Sequence, residues 1–223
     1  MDLYRGALMS DIILYIGNKN LSSWSLRPWL LMRQAGIEFE ERLVRLDVAE
    51  ERASLGEISP SAQVPALVHA GQTIWDSMAI AEYLNEQFPA AQLWPAERQA
   101  RAAARCVSME MHAGFSNLRQ FWPMNFSRAN MNHLCPPPVH REALRIVEIW
   151  TMCRKRFAND GPFLFGQFSI ADAMYAPVVS RFRTYGPLDL NEHVVDYCQT
   201  VWTLPAMRAW GEDAKRELAG EAI

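Results

Sequence analysis

The pattern of apolar and polar positions changes character part-way along the chain. Ile12-Ile-Leu-Tyr-Ile16 is a continuous apolar run, as a strand buried on both faces requires. From Ser25 the spacing turns helical through Leu26, Trp29, Leu30 and Arg33, with Ser25 as the expected cap and Gly36 as the stop. On that reading Pro28 falls in the first turns, where a missing N–H does little harm. Residues 39–46 predict a second strand with impure alternation, and 49–58 a short helix or irregular segment. Gln63-Val-Pro-Ala-Leu-Val68 predicts a turn and a strand. His69-Ala-Gly-Gln72 then makes a short hairpin into another strand, and Trp75-Asp-Ser-Met-Ala-Ile-Ala-Glu-Tyr-Leu84 carries a helix that ends near Pro89. The order is βαβαββα.

Strand signals stop after Gln92-Leu-Trp-Pro-Ala96. Residues 98–122 form one long helical pattern, Pro136-Pro-Pro138 interrupts, and 139–159 is helical again. Ser169-Ile-Ala-Asp172 reads as a capping box that opens the next helix. Two more helices follow near 191–201 and 205–218, the second begun by Pro205. The expected fold class is therefore α/β plus all-α. Residues 1–11 form an extension (Met9 is a second candidate start), 12–89 the α/β domain, 90–97 a linker and 98–223 the helical domain.

Composition narrows the partners more than the fold. With 223 residues, half of them hydrophobic, the chain can bury a substantial core. A formal net charge of −3 gives no reason to expect nucleic acid or an anionic membrane as partner. Cys106, Cys135, Cys153 and Cys198 lie far apart without a CxxC pair, which suits reduced thiols in a cytoplasmic protein. The five histidines are scattered as well, so no metal is expected. No apolar run approaches the ~20 residues a membrane helix needs, and Met1-Asp-Leu-Tyr-Arg5 lacks the order of a signal peptide.

Candidate chemistry concentrates around the hairpin. Asp76 and Ser77 sit where the following helix begins, and a helix start offers free N–H groups and a positive dipole end to a carboxylate. Val64-Pro65 is placed to lay an extended backbone edge beside that point, and a cis bond there would turn the Val64 N–H and C=O outward. A ligand with a free carboxylate and a peptide backbone, a small peptide, suits such a site better than a nucleotide or a metal.

Four segments, in order and at ordinary spacing, resemble the soluble glutathione transferase family from about Ile12 to the C-terminus. Leu21-Ser-Ser-Trp-Ser-Leu-Arg-Pro-Trp29 is similar to the serine-type active-site loop of the zeta and tau classes. Gln63-Val-Pro-Ala-Leu67 resembles the family's cis-proline segment, and the 75–84 stretch its glutathione-binding turn and helix. Phe168-Ser-Ile-Ala-Asp-Ala173 resembles its capping box. The resemblance implies a thioredoxin-like N-terminal domain, an all-helical C-terminal domain and a homodimer.

It also implies roles. Ser22 becomes the candidate catalytic hydroxyl, with Ser23 as the register alternative and Ser25 as the helix cap. A thiol with pKa of about 8.5 is only a few per cent thiolate at neutral pH. Lowering that value by ~2 units needs about 2.7 kcal/mol, within reach of one charge-assisted hydrogen bond and a helix dipole. Asp76 would receive the γ-glutamyl ammonium, Ser77 the carboxylate, Val64 the cysteinyl backbone and Gln63 the glycyl end. Met109-Glu-Met-His112 resembles a beta-class segment, which makes Glu110 and His112 further glutathione-binding candidates. The alternative is one solvated charge and one half-buried histidine. Trp24, Phe115, Leu118 and Trp122 are candidates for the acceptor pocket, although aromatics at helical spacing also build cores. Trp24 stands where the zeta pattern has a small cysteine, Pro28-Trp29 replaces small aliphatic residues, and no beta-class cysteine occurs in the 18–25 loop.

The implied activity is a glutathione transferase, with glutathione as co-substrate and a hydrophobic electrophile as acceptor. Isomerisation, dehalogenation or peroxide reduction on the same site, or a non-catalytic binding protein of the same fold, are the alternatives.

Overall fold

The computed structural model describes residues 11–131, 135–159, 161–186 and 188–221. Apart from Asp11, the expected N-terminal extension lies outside the described residues. Seven elements form the first part: β1 (Ile12–Ile16), α1 (Ser23–Ala35), β2 (Glu40–Leu43), α2 (Ala49–Ile58), β3 (Ala66–His69), β4 (Gln72–Trp75) and α3 (Ser77–Gln87). Their sheet runs β2-β1-β3-β4, with β1 parallel to β2 and antiparallel to β3. The parallel pair needs a crossover, which α1 supplies, whereas β3 and β4 close as a hairpin. Ile12, Leu14 and Ile16 are buried and serve the core, but Ile13 and Tyr15 between them are only half-buried, so one face of β1 is less covered than its continuous apolar run implied.

The cap of helix α1 is Ser22, three residues earlier than the apolar spacing indicated, and the helix begins at Ser23. That shift puts Pro28 inside the helix, where it removes a helical N–H. Gly36 adopts the left-handed conformation at the C-cap and donates to the Arg33 carbonyl.

After a 3₁₀ turn at Pro89–Ala91 come α4 (Arg98–Ala113), α5 (Ser116–Phe121), α6 (Pro137–Phe157), α7 (Ile170–Tyr185), α8 (Glu192–Trp202) and α9 (Pro205–Leu218). The pattern over 98–122 is thus two helices. Gly114 breaks it: a Cβ there would meet the Glu110 carbonyl oxygen at 2.7 Å. Phe115 follows in the left-handed region at φ 56°, and α5 begins at the next residue.

Helix α7 runs through the centre and is buried along nearly its whole length, packed against α1 and α4. Its start is the expected capping box. Asp172 accepts from Ser169 N–H at 2.9 Å and Ser169 Oγ at 3.0 Å, and its other oxygen accepts from Leu164 N–H at 3.1 Å. Among the described residues no helix is long and apolar enough to cross a membrane.

Candidate active site

The end of the β1–α1 loop and the first turn of α1 carry three serines in four positions, Ser22, Ser23 and Ser25. Ser22 caps α1 by position only: its hydroxyl takes none of the first-turn N–H groups and instead donates to Ser25 Oγ at 2.8 Å. Ser25 is fully buried and also accepts from Gly17 N–H at 3.1 Å, so the expected cap is an internal hydrogen-bond partner. Ser23, the register alternative, is buried against the helical half, where its Oγ accepts from Arg181 Nη2 at 3.2 Å.

The same loop is held from three directions. Lys19, only 1 % exposed, puts its Nζ 2.5 Å from Glu41 Oε1 and 2.6 Å from Asp213 Oδ2. The Trp29 and Trp210 rings lie at 5.3 and 5.5 Å from that ammonium. Helix α9 also reaches the Lys19 backbone, accepting its N–H on Glu217 and donating Trp210 Nε1–H to its carbonyl. Asn20 is tied to the segment after α5: its carbonyl accepts from Phe126 N–H and its side chain from Ser127 N–H. With Arg181 on Ser23, the loop that presents Ser22 is framed by the helical half of the chain.

Across from this loop the cis Val64–Pro65 bond precedes β3, leaving Val64 outside the strand ladder. Gly17 explains how close the two segments come. A Cβ there would lie 3.2 Å from both Ser22 Oγ and Val64 Cγ2 and 3.3 Å from Leu46 Cδ1. Asp76 caps α3 at φ 73°, a region costly for a residue with a side chain, while its Oδ1 accepts from Met78 N–H at 2.8 Å. Ser77 is 1 % exposed, and its Oγ has no hydrogen-bond partner in the structure.

These segments enclose a cavity of about 420 Å³ lined by Trp24, Ser61, Gln63, Val64, Pro65, Trp75, Asp76 and Ser77. That volume is in the range of small-molecule sites. A wider hollow of about 710 Å³ beside Asp11, His69 and Phe88 has no α-helix start in its wall, so the chemistry selects the first cavity. Ser22 is not in the lining; it stands at the corner it shares with Val64.

Helix α4 approaches from the other side. His112 Nε2 lies 3.2 Å from Asp76 Oδ2, and the His112 ring meets Trp24 edge-on at 5.4 Å. Glu110 turns the other way and pairs with Arg145 of α6 through both oxygens, at 2.8 and 3.0 Å. Spaced two apart, the two side chains leave a helix on different faces. Of the four acceptor-pocket candidates only Trp24 reaches the cavity. Phe115, Leu118 and Trp122 are buried in the core instead, Trp122 stacked on Tyr185.

Sequence reasoning missed the lining residues Ser61 and Trp75, although Trp75 immediately precedes Asp76. Arg27, whose expected role was local structure, stands behind Trp24. It is buried, stacks at 4.1 Å on Trp24, and leaves its Nε and Nη1 without hydrogen-bond partners in the structure. Burial, with Arg181 and Arg119 nearby, lowers its guanidinium to about 9 against the opposing pull of Asp76. At neutral pH it is still a cation behind the indole wall. Among the described residues no group of three or more His, Cys, Asp or Glu side chains is arranged to hold a metal ion.

The family description of a glutathione S-transferase N-terminal domain matches residues 21–87, and that of a glutathione S-transferase C-terminal domain matches residues 138–210. The chain belongs to the glutathione S-transferase family. Its fold is a thioredoxin-like N-terminal domain followed by a helical C-terminal domain. Among relatives, a probable maleylacetoacetate isomerase of Caenorhabditis elegans is 29 % identical over 185 residues, covering 81 % of this chain and 83 % of that one. Glutathione S-transferase L1 of Arabidopsis thaliana is 25 % identical over 194 residues, covering 86 % and 74 %. A crystal structure of a glutathione transferase homolog from Burkholderia, with bound glutathione, superposes with a TM-score of 0.68 at 25 % identity, covering 92 % of this chain and 97 % of that one.

Proposed function

We propose that this glutathione S-transferase family member binds glutathione in the cavity between Val64 and Ser77 and activates its thiol through Ser22 for attack on a hydrophobic electrophile. The observation that carries the reading is the buried Ser77 hydroxyl, unpartnered at the start of α3 and set in the cavity wall beside Asp76. A buried hydroxyl without a partner costs free energy unless a ligand supplies one. A γ-glutamyl carboxylate does so, with the α3 dipole behind it. Its ammonium then falls to Asp76, whose strained backbone is consistent with a binding duty. Val64 offers main-chain groups to the cysteinyl unit, and Gln63 serves the glycyl end.

On this reading the sulfur lies against Ser22, whose proton is free to turn from Ser25 to a thiolate. Acceleration comes from a larger thiolate fraction and from holding two reactants together. The acceptor packs against Trp24. We assign the glutathione site to residues 12–89, the helical domain to 98–223 and the functional state to a homodimer in the cytoplasm.

A second reading, glutathione-dependent isomerisation, rests on the likeness to the nematode protein named a probable maleylacetoacetate isomerase. Trp24, in the cavity wall where the zeta pattern has a cysteine, favours transfer. The test is retention on immobilised glutathione with release by free glutathione, followed by assays against aryl halides, epoxides, peroxides and a cis-enone. Failure to bind at millimolar glutathione would sink the proposal; turnover of the enone alone would select the isomerase.

A further inference from the structure

We infer that Ser25 is a positioning residue for thiol activation, the middle of a relay that runs from the Gly17 amide through two hydroxyls to the sulfur. The inference rests on the reading of Ser22 as the hydroxyl that meets the thiolate. Its basis is geometric. Ser22 Oγ and Ser25 Oγ are 2.8 Å apart, and Gly17 N–H approaches Ser25 Oγ at 3.1 Å from within the buried loop.

Only one proton fits between two hydroxyl oxygens at that separation, and its direction depends on what else each oxygen faces. Without ligand, Ser22 donates to Ser25. A serine has a single O–H, so the same proton cannot serve Ser25 and a thiolate at once. When Ser22 turns to a sulfur anion, its oxygen loses its contact to Ser25 unless the pair reverses. Ser25 is equipped for that reversal: fully buried, it has its own O–H and keeps Gly17 N–H as a fixed donor to its oxygen. The bound arrangement is Gly17 N–H to Ser25 Oγ, Ser25 O–H to Ser22 Oγ, and Ser22 O–H to the thiolate. No serine changes its protonation, and the thiol proton is released to solvent.

Two features make the relay more than a pair of neighbouring serines. Hydrogen bonds in a chain polarise one another, so a Ser22 that accepts from Ser25 becomes a stronger donor to sulfur. Gly17 is also closely packed: a Cβ there would lie 3.2 Å from Ser22 Oγ and Val64 Cγ2 and 3.3 Å from Leu46 Cδ1. The relay therefore begins at a main-chain group set directly beside the two side chains it serves.

The test is the pKa of glutathione thiol bound to the Ser25→Ala protein, followed by ultraviolet absorbance of the thiolate, with affinity for S-methylglutathione measured alongside. The methylated ligand has no ionisable sulfur, so a Ser25 that merely shaped the loop would alter its binding too. Expected are a rise of about half to one pH unit in the bound thiol's pKa and unchanged S-methylglutathione affinity. Ser25→Cys, which keeps the side chain's shape with a weak donor, is expected to match it and replaces it if the alanine variant does not fold. Ser22→Ala separates the two claims. A raised pKa in Ser22→Ala with none in either Ser25 variant would overturn the relay alone, whereas no change in Ser22→Ala would overturn the assignment of Ser22. Weakened S-methylglutathione binding in the Ser25 variants would also overturn the relay.

Discussion

His112 Nε2 stands 3.2 Å from Asp76 Oδ2, which ties the last turn of α4 to the residue that begins α3. The other oxygen of that carboxylate accepts from Met78 N–H, so both ends of the group are directed before any ligand arrives. Pre-orientation of this kind lowers the cost of binding an ammonium. Replacing His112 by Ala frees the carboxylate and removes the ring packed edge-on against Trp24. The expected outcome is a rise of roughly 3- to 10-fold in KM for glutathione, from the loss of about 1 kcal/mol, with kcat little changed. Steady-state kinetics with glutathione as the varied substrate check it; an unchanged KM would separate His112 from the site.

Ser77→Ala predicts opposite effects on binding and stability. The hydroxyl is buried and unpartnered, so removing it relieves an unsatisfied polar group in the ligand-free protein. The glutathione carboxylate meanwhile loses a charge-assisted hydrogen bond worth about 1.5–3 kcal/mol, or roughly a 10- to 100-fold weaker Kd. Titration calorimetry and a thermal melt of the same preparation read the two effects. A variant that binds normally, or whose melting temperature falls by several degrees, would contradict the assignment.

Lys19 predicts how firmly the loop is attached to α9. Its ammonium answers Glu41 and Asp213 and sits beside two indoles. Breaking a buried ion pair leaves charges uncompensated; because both carboxylates here are partly exposed, the penalty for Lys19→Met is about 2–4 kcal/mol, below the fully buried case. For a chain of this size that lowers Tm by roughly 5–15 °C. A melt within 2 °C of wild type would show that the Trp210 and Glu217 contacts to the Lys19 backbone suffice.

The order of elements was legible because its signals are local: an apolar run for β1, a hairpin, a capping box, prolines between helices. That Asp76, Ser77, Gln63 and Val64 line one cavity was legible for the same reason, since a single short hairpin separates the X-Pro turn from the helix start. The break at Gly114 was hidden because Met111, Phe115, Leu118 and Trp122 keep helical spacing straight through it. Side-chain direction in the serine loop was hidden for a different reason. What turns Ser23 away from the cavity is Arg181, 158 positions later, and what turns Glu110 away is Arg145, 35 positions later. Periodicity names the residues that leave water; it does not name the partner each one finds.

Asp172 gives the chain a pH dependence with a definite sign. Burial raises its carboxyl to about 6 from an ordinary 3.8, against the opposing pull of hydrogen bonds from Leu164 and Ser169. The folded state therefore holds a proton at pH values where the unfolded chain has released it. Stability from this group is fully present below about pH 4, declines as pH rises to about 6, and is flat above that. In Asp172→Asn the titration is gone, and an amide NH₂ replaces one of the two accepting oxygens, facing either the Leu164 donor or the Ser169 donors, so the variant is less stable throughout. The margin by which wild type exceeds it narrows from pH 4 to pH 7 by on the order of 3 kcal/mol. Urea denaturation of both proteins across that range measures the margin directly. A margin that widens with pH would mean that the capping hydrogen bonds outweigh burial and hold Asp172 as the anion.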